Sequence, residues 1–139
     1  MKLLIVDVGN TDIKRAVATG DTLGEVTRNP TKDIGRIAEE IANAGMPVAL
    51  SCVRPAAADV IKAALSNCGV PLVVEVNANV TDPVSGFYAG MGADRVANIA
   101  GAWTELGRAS PVAVVALGTG TTITAVSADG RFSGGFTTL

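Results

Sequence analysis

Apolar and polar positions follow two rhythms along the chain. The opening segment "KLLIVDVG", residues 2–9, is nearly continuously apolar until Asp7 and reads as a buried strand. Residues 12–19 and 22–28 predict two more strands, with turns at Gly9-Asn10 and Gly20-Asp21, so the chain begins as a meander. The rhythm then becomes helical. Ile34, Ile37, Ala38 and Ile41 recur at helical spacing over 34–44, with Asp33 as candidate cap and Gly45 as stop. "PVALSCV" (47–53) predicts a short strand. Pro55 opens a second helix with Val60, Ile61, Ala64 and Leu65 on one face, and Gly69 follows it. "PLVVEV" (71–76) is a further strand. The order is βββαβαβ, a mixed sheet with helices on its faces, which places the chain in the α/β class.

Residues 77–91, "NANVTDPVSGFYAGM", mix Gly, Pro and polar residues and predict a long connection. Loops of that length inside a domain are more often functional than idle. A helix is predicted over about 93–106, then strands over 112–118, 121–128 and 131–137, with turns at Gly118-Thr119-Gly120 and Asp129-Gly130. The segments "LLIVDVGNTDIKRAVATGD" and "VAVVALGTGTTITAVSADG" share one plan: apolar strand, small-residue turn, second strand, Asp/Gly turn. This predicts a degenerate internal repeat with two lobes facing each other. The first lobe and its connection take residues 1–92; a linking helix and an incomplete second lobe, a three-stranded meander, take 93–139. The second copy stops after its third strand. Its sheet must therefore pack on the 93–106 helix, on the first lobe or on another chain.

Composition narrows the chemistry. Hydrophobic residues make up 48% of the 139 but aromatics only 4%, so Ala, Val, Leu and Ile must fill the core. A net charge of −2 with no basic run argues against nucleic acid or an anionic membrane as partner. Cys52 and Cys68 make neither a disulfide framework nor a zinc site, which points to a reduced, cytoplasmic setting. No signal-like segment opens the sequence, and no apolar run reaches membrane-spanning length. Histidine is absent, so acid–base chemistry falls to carboxylates, Lys, Tyr or Cys.

Three motifs carry candidate chemistry. In Asp7-x-Gly9-Asn10-Thr11-x-x-Lys14, Gly9 permits a tight turn and close backbone approach, and successive N–H groups there form an anion nest. Asn10 and Thr11 add side-chain donors, Lys14 adds a point charge, and Asp7 suits a Mg²⁺ ion that itself holds phosphate. The competing reading is a plain hairpin whose Asp and Asn satisfy their own backbone. Gly118-Thr119-Gly120-Thr121-Thr122 suits phosphate in the same way, although threonine-rich strands with glycine turns are also ordinary β-structure. Gly92-Ala93-Asp94-Arg95 starts a helix. Asp is favoured there as a cap or first-turn residue, but Asp beside Arg also offers a carboxylate base next to an anion-binding cation. Trp103 reads as core.

The segments "DVGNTDIK" (7–14), "SCVRP" (51–55), "GADRVANIAGAW" (92–103), "GTGTT" (118–122) and "DGRFSGG" (129–135) together resemble the type III pantothenate kinases. These belong to the acetate kinase, sugar kinase, heat-shock and actin superfamily. The resemblance implies a ribonuclease H-like (actin-like ATPase) lobe and ATP-dependent phosphorylation of pantothenate, the first step of coenzyme A synthesis, in a cytoplasmic homodimer. It implies Asp94 as the base facing the pantothenate hydroxyl, and Arg95, Gly92 and Tyr88 at the substrate. Asp7 belongs to the Mg²⁺–ATP site by the same resemblance. Gly9, Asn10, Thr11 and Lys14 take one side of the phosphates, and Gly118, Thr119 and Thr121 the other. Two positions depart from the family pattern. Ala116 stands where a carboxylate associated with a monovalent cation (K⁺) is usual, and Thr124 where a further Asp is usual. These departures motivate a second expectation, a non-catalytic homologue or fragment that keeps the fold and weak nucleotide binding.

Overall fold

In chain order the first unit, Met1–Val76, carries β1 (Lys2–Val8), β2 (Asp12–Thr19), β3 (Thr22–Leu23), β4 (Thr27–Pro30) and a short 3-10 helix (Thr31–Asp33). It continues through α1 (Ile34–Asn43), β5 (Val48–Cys52), α2 (Pro55–Asn67) and β6 (Leu72–Glu75). The computed structural model describes residues 1–118 and 120–138. The sheet runs β3-β2-β1-β5-β6, with β4 also paired to β2. β2 is antiparallel to β1, β3 and β4, whereas β1, β5 and β6 run parallel, as two helical crossovers require. Strand alternation sends Leu4, Val6 and Val8 of β1 into the core with Ile13, Val48 and Leu50. There they meet Ile37 and Ile41 of α1 and Ile61 and Leu65 of α2. Full burial of each such side chain stabilises by about 1.5–3 kcal/mol, so this layer explains why short helices with little capping persist.

The single strand expected over 22–28 is broken into β3 and β4. Ala18 pairs with Leu23 and Arg15 with Thr27, so Gly24, Glu25 and Val26 stand opposite only Ala16 and Val17. The Gly24 amide still donates to the Val17 carbonyl at 2.8 Å. The extra residue is a bulge, and it resets the register of everything after it. Asp33, expected as the cap of α1, makes no side-chain capping bond, because the 3-10 helix already leads the chain into α1; its carboxylate lies 3.5 Å from Arg36 instead.

The second unit, Asn77–Leu139, holds the long connection, α3 (Ala93–Glu105), β7 (Val112–Leu117), β8 (Thr121–Val126) and β9 (Phe132–Thr138). The three strands form an antiparallel sheet in chain order. Ala93, Val96, Ile99 and Trp103 make the buried stripe of α3, and Val112 and Val126 are buried as well. Trp103 is core, as its sequence context suggests. The connection is fastened to the β8–β9 turn: the Ser85 amide donates to the Gly130 carbonyl at 3.0 Å and the Phe132 amide to the Ser85 carbonyl at 2.8 Å. In β9, a Cβ at Gly135 would lie 2.3 Å from the Ile123 carbonyl oxygen, so only glycine lets β9 approach β8 there.

Candidate functional site

Sheet register in the first unit builds a row of side chains across three strands. Asp7 of β1 stands opposite Lys14 of β2 and Ser51 of β5. One Asp7 oxygen accepts from Lys14 Nζ at 3.4 Å and the other from Ser51 Oγ at 3.1 Å. Both ends of the ion pair are partly exposed, 42% for Lys14 and 32% for Asp7. Such a pair stabilises by less than ~1 kcal/mol, and at 3.4 Å it is longer than a strong charge-assisted bond. The ammonium thus stays available to a second anion. Lys14 and Arg15 look alike in sequence, but alternation parts them: Arg15 reaches Glu40 of α1 at 3.1 Å and Asn29 at 2.8 Å on the helical face. Ser51 lies in the "SCVRP" segment; its place beside Asp7 depends on the parallel β1–β5 register, which spacing does not reveal.

Among the described residues, the turn between β1 and β2 closes on itself at one point. The Gly9 amide donates to the Asp12 carbonyl at 2.9 Å, and a Cβ at Gly9 would lie 3.2 Å from that oxygen. Gly9 therefore permits the turn and gives no free N–H. Asn10 and Thr11 are exposed at its tip, and their amides have no acceptor among the described residues. Two outward donors beside an ammonium form a small anion cradle. On the opposite, core-packed face of β5, burial pushes the Cys52 thiol above its ordinary value.

In the second unit, Asp94 and Arg95 open α3, with Gly92 as the preceding cap residue. Asp94 is exposed, and its carboxylate folds back over Gly92, where a Cβ would lie 2.7 Å from Oδ1. The backbone at Gly92, φ −59° and ψ 137°, suits any residue. The glycine therefore serves to make room for Asp94. Arg95 Nη1 donates to the Tyr88 hydroxyl at 2.8 Å, and Tyr88 leans on Phe132 with ring centroids 6.0 Å apart. Arg95 Nε and Nη2 are buried and have no partner among the described residues. These two nitrogens form the side-on fork of a guanidinium, which matches a carboxylate in bidentate geometry.

The β7–β8 turn lies in the same unit. Gly118 donates its amide to the Gly120 carbonyl at 3.1 Å, and Thr121 begins β8 opposite Leu117. Thr119 lies outside the described residues. No hydrogen bond among the described residues joins this turn to Asp94 or Arg95. Thr124 is buried, its hydroxyl 3.5 Å from the Val114 carbonyl. No group of three or more acidic or cysteine side chains that could cage a metal is present among the described residues. Asp7 alone suits Mg²⁺ only when phosphate oxygens complete its shell, which is the usual habit of that ion. Ala116 offers no side-chain oxygen to a monovalent cation.

A crystal structure of the Aquifex aeolicus member of the Ppx/GppA family matches 99% of this chain and 50% of its own length, at 14% identity and a TM-score of 0.54. That likeness is one of fold: among the described residues the chain is mixed α/β with two sheets and three α-helices, consistent with an actin-like architecture. The sequence matches the type III pantothenate kinase family over residues 3–138, and the chain belongs to that family. A type III pantothenate kinase of Roseiflexus sp. (strain RS-1) is 33% identical over 156 aligned positions, which cover 96% of this chain and 58% of the relative. The chain thus spans a little over half the length of that relative. No helix among the described residues is long and apolar enough to cross a membrane.

Proposed function

We propose that the chain transfers the γ-phosphoryl group of ATP to the primary hydroxyl of pantothenate. The observation that carries this reading is the Arg95 fork, two buried donors without partner one residue from an exposed carboxylate. Pantothenate carries a carboxylate for such a fork and, at its other end, an alcohol for the acid beside it. Arg95, steadied by Tyr88, binds the carboxylate, while Asp94 accepts the hydroxyl proton as the oxygen attacks phosphorus. On the nucleotide side, the Asn10 and Thr11 amides and Lys14 hold phosphate oxygens; Gly118, Thr119 and Thr121 are the candidate phosphate contacts of the second unit. Asp7, steadied by Ser51, holds the Mg²⁺ that accompanies ATP; the ion offsets charge that builds on the phosphates. Phosphoryl transfer needs little covalent work from protein groups beyond such alignment.

A second reading, a fold-keeping homologue that binds nucleotide weakly without turnover, is favoured by Ala116 and Thr124, neither of which offers a carboxylate to a cation. Purified chain incubated with ATP, Mg²⁺, K⁺ and pantothenate should yield phosphopantothenate and ADP in equal amounts. Calorimetric binding of a non-hydrolysable ATP analogue without any product would instead select the second reading.

A further inference from the structure

The register set by the bulge decides which residue stands behind the anion cradle. Asp12 pairs with Pro30, the last residue of β4, so Thr31, which opens the 3-10 helix, comes level with the turn. Its amide donates to the Thr11 carbonyl at 2.8 Å and its hydroxyl to the Gly9 carbonyl at 3.0 Å. Thr31 is 3% exposed, one of two buried polar residues among those described. A buried hydroxyl is costly unless bonded, and valine has nearly the same shape. Packing alone therefore gives no reason for threonine here; the bond to Gly9 does.

The peptide unit turns that bond into control of a donor. The Gly9 carbonyl and the Asn10 amide share one planar, trans peptide group, in which C=O and N–H point in opposite directions. Holding the carbonyl toward Thr31 holds the Asn10 N–H away from it. We propose that Thr31 is a positioning residue: through the Gly9 carbonyl, its hydroxyl keeps the Asn10 amide aimed outward, ready for a phosphate oxygen. The inference rests on the reading of this turn as the phosphate side, and it deepens that reading by naming what pre-organises it.

The test compares the wild-type chain with Thr31→Val, which deletes the hydroxyl and keeps the amide bond, and Thr31→Ser, which restores the hydroxyl. The first readout needs no ligand. The ¹⁵N order parameter of the Asn10 amide should be near 0.85 in wild type and Thr31→Ser, and drop toward 0.6 in Thr31→Val. The second is calorimetric affinity for a Mg²⁺-complexed, non-hydrolysable ATP analogue, expected to weaken about tenfold in Thr31→Val, one hydrogen bond's worth, and to recover in Thr31→Ser. An Asn10 amide as ordered in Thr31→Val as in wild type overturns the proposal. So does an amide already disordered in wild type, a result that stands even if Thr31→Val does not fold. If the analogue fails to bind wild type while Asn10 still loosens in Thr31→Val, the kinase reading falls and the positioning role stands.

Discussion

Gly92 gives the sharpest test of the proposed catalytic geometry, because its glycine is explained by one atom of one side chain. In Gly92→Ala the new Cβ would sit 2.7 Å from Asp94 Oδ1. The carboxylate must then retreat by roughly 0.7 Å to reach ordinary contact at 3.4 Å, and a misplacement near 1 Å is worth about 10²-fold in rate. Removing the proposed base altogether, as in Asp94→Asn, should lower turnover by about 10²–10⁴-fold. Gly92→Ala should therefore lower kcat by about 30- to 100-fold and leave the KM for ATP within twofold. Stability should hardly move. Alanine suits φ −59°, ψ 137° and stiffens the unfolded chain, which adds about 0.4–1 kcal/mol. Against this, alanine is a poorer cap residue than glycine. The two effects leave a net change within ~1 kcal/mol in urea denaturation. Steady-state phosphopantothenate formation supplies the rates, and the double variant Gly92→Ala/Asp94→Asn supplies the control: acting only through Asp94, Gly92→Ala should add nothing to Asp94→Asn. A single variant within twofold of wild-type turnover would refute the argument, and so would a double variant that falls well below Asp94→Asn.

Five more outcomes follow from the same structure. Arg95→Lys replaces a fork with a point charge and should raise the KM for pantothenate about tenfold or more while sparing the KM for ATP; equal KM values would remove the bidentate role. Asp7→Asn should weaken calorimetric binding of the Mg²⁺-complexed ATP analogue and leave the metal-free analogue unaffected, and Mg²⁺ alone should give no binding heat with wild type; a saturating heat from Mg²⁺ alone contradicts the one-carboxylate site. Gly135→Ala places a Cβ 2.3 Å from a backbone oxygen and should destabilise by about 1–3 kcal/mol, read as a lower urea midpoint; an unchanged midpoint would mean β9 does not hold this register. Cys68 is exposed and Cys52 half-buried, so iodoacetamide should modify Cys68 first. Burial raises the Cys52 thiol, so its contribution to stability is fully present below the unfolded value of about 8.5 and is lost as pH rises through the native one; Cys52→Ala should flatten that decline above about pH 8.5.

Legibility followed periodicity. The α1 stripe, the α2 start at Pro55, the α3 span and both meanders could be read because burial on one face imposes a pattern that survives in sequence. The broken third strand could not, since a bulge adds one residue without altering composition, and Gly24 passes for any turn glycine. Glycine function was legible only in outline. Gly9 and Gly118 looked like amide donors, yet each gives its N–H to a carbonyl of its own turn. Ser51 and Thr31 escaped for a different reason: each acts on a residue far away in sequence, 44 positions for Ser51 and Asp7 and 22 for Thr31 and Gly9. Only strand register brings such pairs together.

Register also explains why an apolar strand ends on a carboxylate. Asp7 lies in the same alternation class as Leu3 and Ile5, opposite the buried Leu4, Val6 and Val8. Its charge therefore never enters the helix-covered core, and no large desolvation has to be offset. Ser51 and Lys14 arrive beside it from the neighbouring strands on the same face. The strand ahead of Asp7 is rigid because its other face is packed, and the turn after it is held by Thr31 from a different element. A functional group is positioned best when the scaffold fixes it without burying it. Shifting β1 by one residue against its neighbours would put Asp7 into the core and Val8 at the surface, losing fold and site together. Selection on stability alone would therefore preserve the placement of Asp7, whereas it would not preserve the hydroxyl of Ser51, which is why Ser51→Ala should separate binding from folding.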